Sequence, residues 1–324
     1  MTGTVNAEVI LNILIFSIFF TSASTELMAA SAILFRYKES QTKVFGFLLP
    51  IWEITGTLFV FYVVNLEGLV PDVLPLLAFS FIAYILIFLI LYVLRNSMIV
   101  FAEMIWKNKT INKKLLYSVY AVVTFVLGTM VLLIYASFIG GHGIDYSART
   151  FDLLKFITFL PDDGFIVGIA ILLFGMASIF YDLNVNRLLP LLVIVIGLII
   201  AGVSLHDLGD YSNSTLSVIP LILFLLIPIL WILPSTRKYI TNKLIFQGIF
   251  AISIFVVALS QYPYLLGRTL NINSILNDAA MQTEMFYATI IGGIILLILT
   301  YFFYDIYFEK GKQEEKNKLE NAGK

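Results

Sequence analysis

Two acidic residues fall within stretches of sequence that are otherwise apolar. Glu26 lies in the run 9–35, and Glu53 lies in the run 44–65. A charge at the centre of a bilayer costs about 2.5–3.5 kcal/mol on insertion scales, and acids at this depth commonly belong to proton or ion pathways. We therefore interpret Glu53 as functional rather than as a protonated packing residue. For Glu26 both interpretations stay open, because the small residues around it are also typical of a close helix contact.

Hydroxyl side chains accompany both acids and could relay protons or hold water. They are Thr21, Ser22, Ser24, Thr25 and Ser31 in the first run, and Thr55 and Thr57 in the second. Glu26 precedes Arg36 by ten residues, and Glu53 follows Lys43 by ten. At the rise of an α-helix, both acids lie about 15 Å above the inner boundary, near mid-membrane. We predict that the two acids face each other or line one polar seam, and that a proton path includes Glu53, Glu26, Thr57 and Ser24.

The elements that carry these residues are predicted to be transmembrane helices. The chain has 324 residues, of which 60% are hydrophobic and 13% charged, against about 25% charged in a soluble domain. Apolar runs long enough to cross a bilayer recur at 9–35, 44–65, 73–94, 115–139, 165–181, 188–205, 216–234, 244–265 and 285–304. Strands of a barrel would be shorter and would alternate polar with apolar residues. The sequence therefore predicts an all-α integral membrane protein with nine transmembrane helices.

The basic residues predict the orientation of these helices. Of the 20 lysines and arginines, all but Arg149, Lys155 and Arg268 lie in the loops after the odd-numbered runs or in the C-terminal tail. Because positive charge marks the cytoplasmic side, the N-terminus is predicted outside and the C-terminus inside. The net charge of −1 gives no indication of a nucleic-acid partner, and the absence of cysteine excludes disulfides and thiolate metal sites.

Longer loops divide the chain into two four-helix units and one extra helix. The predicted units are 1–140 and 165–266, the outer loops are 141–164 and 267–284, the ninth helix is 285–308, and a charged cytoplasmic tail occupies 309–324. The tail is low in apolar residues, so we predict that it is disordered or frayed.

The chain has two histidines, His142 and His206, and both fall in predicted outer loops or at an outer helix end. A haem needs axial ligands inside a helix bundle, commonly histidine or methionine. No predicted span has a central histidine, and methionines alone are more often packing residues, so this chain is not expected to bind haem by itself. No second histidine or cysteine lies at ligand spacing from His142, so no metal site is predicted either.

Arg95 and Glu103 could lie together near the cytoplasmic side. Arg95 follows the third run, where an arginine commonly extends its charge toward the interface, and Glu103 lies in the following loop. A contact between them is interpreted either as part of the mouth of a proton route or as an ordinary surface charge pair.

Two stretches of this sequence resemble subunit II of cytochrome bd-type quinol oxidases. The first is Pro50-Ile51-Trp52-Glu53 with Thr55, Gly56 and Thr57, which resembles the proline, tryptophan and acid of that family's second helix. The second is Tyr262-Pro263-Tyr264 with the polar loop 271–280. Arg95 also fits the family pattern. The family usually carries paired aspartates among glycines in its first helix, whereas this chain has Ser24-Thr25-Glu26-Leu27-Met28-Ala29, which indicates a divergent member.

The resemblance implies a haem-free partner of a haem-bearing subunit I in a prokaryotic plasma membrane. Such a complex oxidises quinol at the outer face and reduces oxygen to water with cytoplasmic protons, and its haems b and d are expected in the partner. Small single-helix subunits, and a bound lipid or quinone, are further partners compatible with this family. The resemblance assigns Glu53 to the proton path with Trp52 beside it, and makes Glu26 the nearest equivalent of the missing aspartates.

Two other classes of function remain open at this point. A stand-alone proton- or cation-coupled transporter could use Glu26 and Glu53 as coupling sites, although both acids lie in the first unit, and transporters built from repeats place such sites in both. A membrane-embedded assembly factor without transport would leave the acids unexplained.

Overall fold

The computed structural model describes residues 7–102, 112–208 and 218–322, with side chains omitted at 42, 49, 50, 300 and 303–322. The helices are α1 (Ala7–Phe35), α2 (Tyr37–Lys43), α3 (Phe45–Leu69), α4 (Val73–Ser80), α5 (Ile82–Val100), α6 (Lys113–Gly140), α7 (Leu153–Ile157), α8 (Leu160–Phe180), α9 (Leu188–Leu208), α10 (Val218–Ile232), α11 (Pro234–Ile240), α12 (Lys243–Gln261) and α13 (Ala279–Ala322). Two antiparallel hairpins pair β1 (Ile144–Asp145) with β2 (Thr150–Phe151) and β3 (Tyr264–Leu266) with β4 (Leu270–Asn271).

Within these described ranges, eight helices are long and apolar enough to cross a membrane: α1, α3, α5, α6, α8, α9, α12 and the first part of α13. The shorter apolar helix α10 has 15 residues. Each of the nine predicted runs therefore overlaps one or more apolar helices, and the prediction of an all-α membrane protein is confirmed at this level.

The third predicted run differs from the structure in a way that concerns the site. The run 73–94 is divided between α4 and α5, with a break at Phe81, and α5 continues to Val100. Arg95 consequently lies inside an apolar helix rather than after its end. Helix α5 therefore carries a buried charged residue, in addition to the charged residues found in the first two runs.

The C-terminal tail also differs from its prediction. Helix α13 continues to Ala322, so the disorder predicted for 309–324 is wrong over the described part of the tail. Glutamate, glutamine and lysine are good helix formers. Because the tail extends α13, it also avoids the unfavourable nucleation step of a new helix. Its low apolar content therefore did not prevent it from being helical.

Helix α1 is the central element of the bundle. It packs against α3, α6, α8, α12 and α13, which include elements of both predicted four-helix units. Met28, Ala29 and Ala30 are completely buried on it. A helix that is apolar on all sides is suited to the interior, and small side chains allow its neighbours to approach closely.

The second loop predicted to be outer, 267–284, folds back onto helix ends. The backbone amide of Asn277 donates to the Leu69 carbonyl at 3.0 Å, and that of Gly267 donates to the Phe138 carbonyl at 3.0 Å. The β3–β4 loop region is thereby attached to the ends of α3 and α6.

Close approach of α8 and α9 gives a first testable consequence. A Cβ atom at Gly197 would lie 2.5 Å from the backbone nitrogen of Leu172. We expect Gly197→Val to force the two helices apart and to cost about 1–3 kcal/mol, as overpacked cores do. Thermal unfolding of the purified protein in detergent measures the loss. Gly248→Val in α12 is the control, because nothing lies within 4 Å of its added Cβ. Equal melting temperatures for the two variants would contradict the close contact.

Candidate functional site

A buried ion pair joins α1 to α5 in the middle of the bundle. Arg95 donates from Nη1 to Oε2 of Glu26. Glu26 is 2% exposed and Arg95 is 6% exposed. Either charge alone would be costly at this depth, and the pair offsets part of that cost. The predicted position of Arg95 at the membrane interface is therefore wrong. Glu103, its predicted partner, lies outside the described residues.

The guanidinium of Arg95 has further partners on its own helix and on α6. Its Nε donates to Oδ1 of Asn96 at 3.1 Å. Its central carbon lies 5.0 Å from the ring centroid of Tyr92 and 5.8 Å from that of Tyr120. Aromatic faces attract a guanidinium electrostatically, and more strongly where water is excluded. These contacts fix the orientation of Arg95 and thus the position of the Glu26 carboxylate.

Trp52 extends this polar chain to α3. Its indole Nε1 donates to the same Asn96 Oδ1 at 2.7 Å. Asn96 thus accepts from both Trp52 and Arg95 and links the tryptophan to the ion pair. The sequence interpretation missed Asn96. The available signal was the polar pair Arg95-Asn96 at the end of an apolar run.

The hydroxyls predicted to accompany the two acids differ in their burial and in their hydrogen-bond partners. Ser22 Oγ and Thr55 Oγ1 lie 2.7 Å apart and join α1 to α3. Ser24 is buried, whereas Thr57 is exposed and donates back to the Glu53 carbonyl at 2.9 Å. The second carboxylate oxygen of Glu26, Oε1, has no hydrogen-bond partner among the described residues. That oxygen remains available to accept a proton or a hydrogen bond.

A cavity of about 890 Å³ extends from this ion pair toward the predicted outer end of the bundle. Glu26, Ser24, Thr55 and Arg95 contribute to its wall at mid-bundle, and Asn12 contributes near the start of α1. Most of the remaining lining is aromatic or aliphatic. The two charged residues of the lining, Glu26 and Arg95, therefore lie together at mid-bundle in a mainly apolar cavity.

Glu53 lies on the opposite side of α3 and does not face Glu26. Its side chain is exposed and lines an open groove of about 720 Å³, together with Trp52 and Thr57. Tyr92 of α5 and Gly292 of α13 line the same groove. Residues two apart on a helix point in nearly opposite directions. Since α3 directs Thr55 toward α1, it directs Glu53 away, and the predicted shared seam of the two acids is wrong.

The groove and the cavity nevertheless have a common wall. Gly56, Val60 and Tyr92 line both. A Cβ atom at Gly56 would lie 3.2 Å from the Tyr92 hydroxyl, so glycine allows this hydroxyl to approach α3 closely at the common wall. Tyr92 is a second residue that the sequence interpretation did not identify.

Polar contacts also lead from α1 toward the ends of α8 and α12. The Tyr181 hydroxyl donates to the Thr25 carbonyl, and Gln247 Nε2 donates to Thr25 Oγ1, each at 3.4 Å. Tyr181 directly follows α8 on the side predicted to be cytoplasmic. These residues connect the neighbourhood of Glu26 to that side of the molecule.

The two histidines lie away from this network. His142 follows α6, and its Nδ1 is 3.9 Å from Oδ2 of Asp162, while His206 is exposed in the last turn of α9. Burial lowers the pKa of His142, so its imidazole is neutral at neutral pH. Within the ranges described, no group of three or more histidine, cysteine or acidic side chains could hold a metal ion.

Comparison with known proteins gives a fold but no sequence family. No protein-family model and no curated protein matches the sequence. Among solved structures, the chain is similar to a chain of the bd oxidase from Geobacillus thermodenitrificans, with a TM-score of 0.64 and 17% identity over 93% of this chain and 97% of that chain. The resemblance predicted from the second helix is therefore supported at the level of architecture, and this protein has the fold of a bd oxidase subunit.

Proposed function

We propose that this chain is the haem-free membrane subunit of a bd-type quinol oxidase and contributes a proton path to oxygen reduction in its partner. The exposed position of Glu53 is the observation on which this proposal rests. A carboxylate on a face directed to lipid is costly, and a second subunit covering the groove would remove it from lipid. The groove is lined by α3, α5 and α13, so we assign this face to the haem-bearing subunit I.

The haem-free role rests on the positions of the histidines. Shared architecture at 17% identity does not decide which subunit of an oxidase this chain is. Haem iron is commonly held by histidine or methionine inside a helix bundle. His142 and His206 lie at the ends of helices, so haems b and d are assigned to the partner.

The proton path is proposed to begin at the cytoplasmic side near Tyr181 and Thr25. Glu26 would take up a proton on its unpartnered Oε1 and release it toward the wall formed by Gly56 and Tyr92. The Tyr92 hydroxyl and water in the groove would carry the proton to Glu53, which would deliver it to the partner. A carboxyl group can both accept and donate a proton within the physiological range, as a relay requires.

Arg95, Asn96 and Trp52 have a different role in this proposal. A guanidinium does not lose its proton in proteins, and an indole N–H is a donor only. These three residues are therefore positioning residues, which hold Glu26 and the wall of the groove in place. Ser24 and Thr57 remain candidate hydroxyls beside the two acids.

Purification from native membranes tests the proposal as a whole. We expect the tagged chain to co-purify with a second multi-helix subunit, with haem absorbance and with quinol:oxygen oxidoreductase activity. A preparation that contains this chain alone, without haem, would reject the oxidase assignment. Ion-dependent solute uptake by that same preparation in liposomes would then favour the transporter that uses Glu26 and Glu53.

A further inference from the structure

Three basic residues from separate elements converge on Asp182, in the turn between α8 and α9. Arg237 of α11 donates from Nη2 to Oδ1 of Asp182 at 2.6 Å. Lys43, the last residue of α2, donates from its ammonium to the Asp182 backbone carbonyl. Lys243 begins α12 and lies close enough to interact electrostatically with both Asp182 and Lys43. This basic cluster consists of Lys43, Arg237 and Lys243 around one carboxylate.

The basic cluster has more positive than negative charge. Partial burial raises the pKa of Asp182, but the hydrogen bond and charge of Arg237 and the charge of Lys43 outweigh it, so the pKa lies below its ordinary value. Asp182 is therefore ionised at neutral pH and neutralises only one of three cations. The neighbouring Arg36–Glu39 pair, at 3.5 Å, contains one charge of each sign and leaves this excess unchanged.

The ammonium of Lys243 is surrounded mainly by aromatic rings. It lies 4.1 Å from the ring centroid of Phe180, 5.0 Å from that of Tyr181 and 5.5 Å from that of Phe47. Ring faces attract the charge, but they do not replace the three hydrogen bonds that an ammonium can donate. Among the described residues, none accepts a hydrogen bond from Lys243. Its donors and its repulsion from Lys43 are both suited to an added anion.

The basic cluster lies where membrane-crossing helices end. Lys243 begins α12, and Asp182 follows the end of α8 by two residues, on the side that the distribution of basic residues predicts to be cytoplasmic. Apolar surface adjoins it, because Leu244 is 65% exposed and Tyr239 is 54% exposed. Basic pockets between transmembrane helices on this side of a membrane are suited to anionic headgroups.

We propose that Lys43, Arg237 and Lys243 bind a phosphate group at the inner membrane surface. The phosphate belongs either to an anionic phospholipid or to a free anion, since the charge and hydrogen-bonding requirements are the same. Arg237 presents its remaining N–H groups while Asp182 holds its orientation, and the two lysines add compact positive charges. This site lies apart from the proposed proton path and does not depend on the oxidase assignment.

Reconstitution in nanodiscs tests this proposal on the protein with whatever subunits co-purify. Discs of phosphatidylcholine alone are compared with discs that also contain phosphatidylglycerol, and inorganic phosphate is compared with chloride at equal ionic strength in the uncharged discs. Melting temperature and lipid retained in native mass spectra are the measurements. We expect one of the two anions to stabilise the protein, and Lys243→Gln to weaken its retention about fivefold. Lys243→Gln leaves the Arg237–Asp182 pair intact, which limits the risk of misfolding.

Matched variants separate a built site from general surface charge. Lys238→Gln removes one exposed positive charge from α11, next to Arg237, and is expected to retain the anion as the wild type does. Lys243→Arg is expected to retain most of the binding. Stabilisation by phosphatidylglycerol alone identifies a lipid, and stabilisation by inorganic phosphate identifies a free anion. No stabilisation by either anion, or equal losses in Lys238→Gln and Lys243→Gln, would overturn the proposal.

Discussion

Glu26→Gln is expected to destabilise the protein more than Arg95→Met does. Both changes break the same buried ion pair. After Glu26→Gln a guanidinium that cannot lose its proton remains in the bundle, and removal of one partner of a buried pair costs about 3–5 kcal/mol. After Arg95→Met the Glu26 carboxyl can become neutral by taking up a proton. Its cost then falls toward that of a buried unsatisfied polar group, about 1–3 kcal/mol.

The order of the melting temperatures of the purified variants is the measurement. A double variant, Glu26→Leu with Arg95→Met, is expected to be more stable than Glu26→Gln alone, because neither charge remains in the bundle. Arg36→Gln is the control, since the exposed Arg36 forms a surface pair with the half-buried Glu39, and pairs at the surface contribute about 0–1 kcal/mol. Equal losses for Glu26→Gln and Arg36→Gln would show that the Glu26–Arg95 pair does not form in the native protein.

The apolar helices could be predicted from the sequence because the thickness of a bilayer imposes a length that few soluble segments share. However, because these helices are apolar on all sides, the sequence does not indicate which face of each helix is buried. A helix that is apolar on all sides has no amphipathic pattern that directs Glu26 inward and Glu53 outward. The depth of each acid could therefore be predicted, but its direction could not.

Local sequence patterns could not predict the ion-pair partner of Arg95 either. Glu26 lies 69 residues away, so only the tertiary arrangement, in which α1 and α5 both pack against α6, brings the two side chains together. Arg95 was expected to extend to the interface because its predicted helix ended at residue 94. In the structure, α5 continues to Val100. Arg95 is therefore inside the helix and is buried against an acid.

The basic cluster shows the same limitation in another part of the chain. The distribution of lysines and arginines predicted the side of the membrane on which they lie. It did not predict that Lys43, Arg237 and Lys243 would meet around a single aspartate, since α2, which carries Lys43, is far from the consecutive helices α11 and α12 in the sequence. The sequence thus predicted a basic surface on one side of the membrane, and tertiary packing brings three of its cations together.

Glu53→Gln is expected to slow oxygen reduction by the complex at least about tenfold while the haem spectrum is unchanged. The amide has nearly the same size as the carboxyl group but cannot carry a proton, and a positioned acid or base commonly contributes about 10²–10⁴-fold to a rate. Quinol-driven oxygen consumption measures turnover. Glu53→Asp is expected to keep part of the activity, because it retains the titrating group at a shorter reach.

Glu67→Gln is the control for this variant, because Glu67 is an exposed acid near the end of the same helix. It removes an equal charge from α3 but lies outside the groove of Glu53, so we expect wild-type turnover. Full activity of Glu53→Gln would remove Glu53 from the proton path. Loss of haem or of the second subunit would instead assign Glu53 to assembly of the interface. Slow turnover in an intact complex is the result that requires a proton-carrying group at this position, because the remaining contacts of the groove are unchanged.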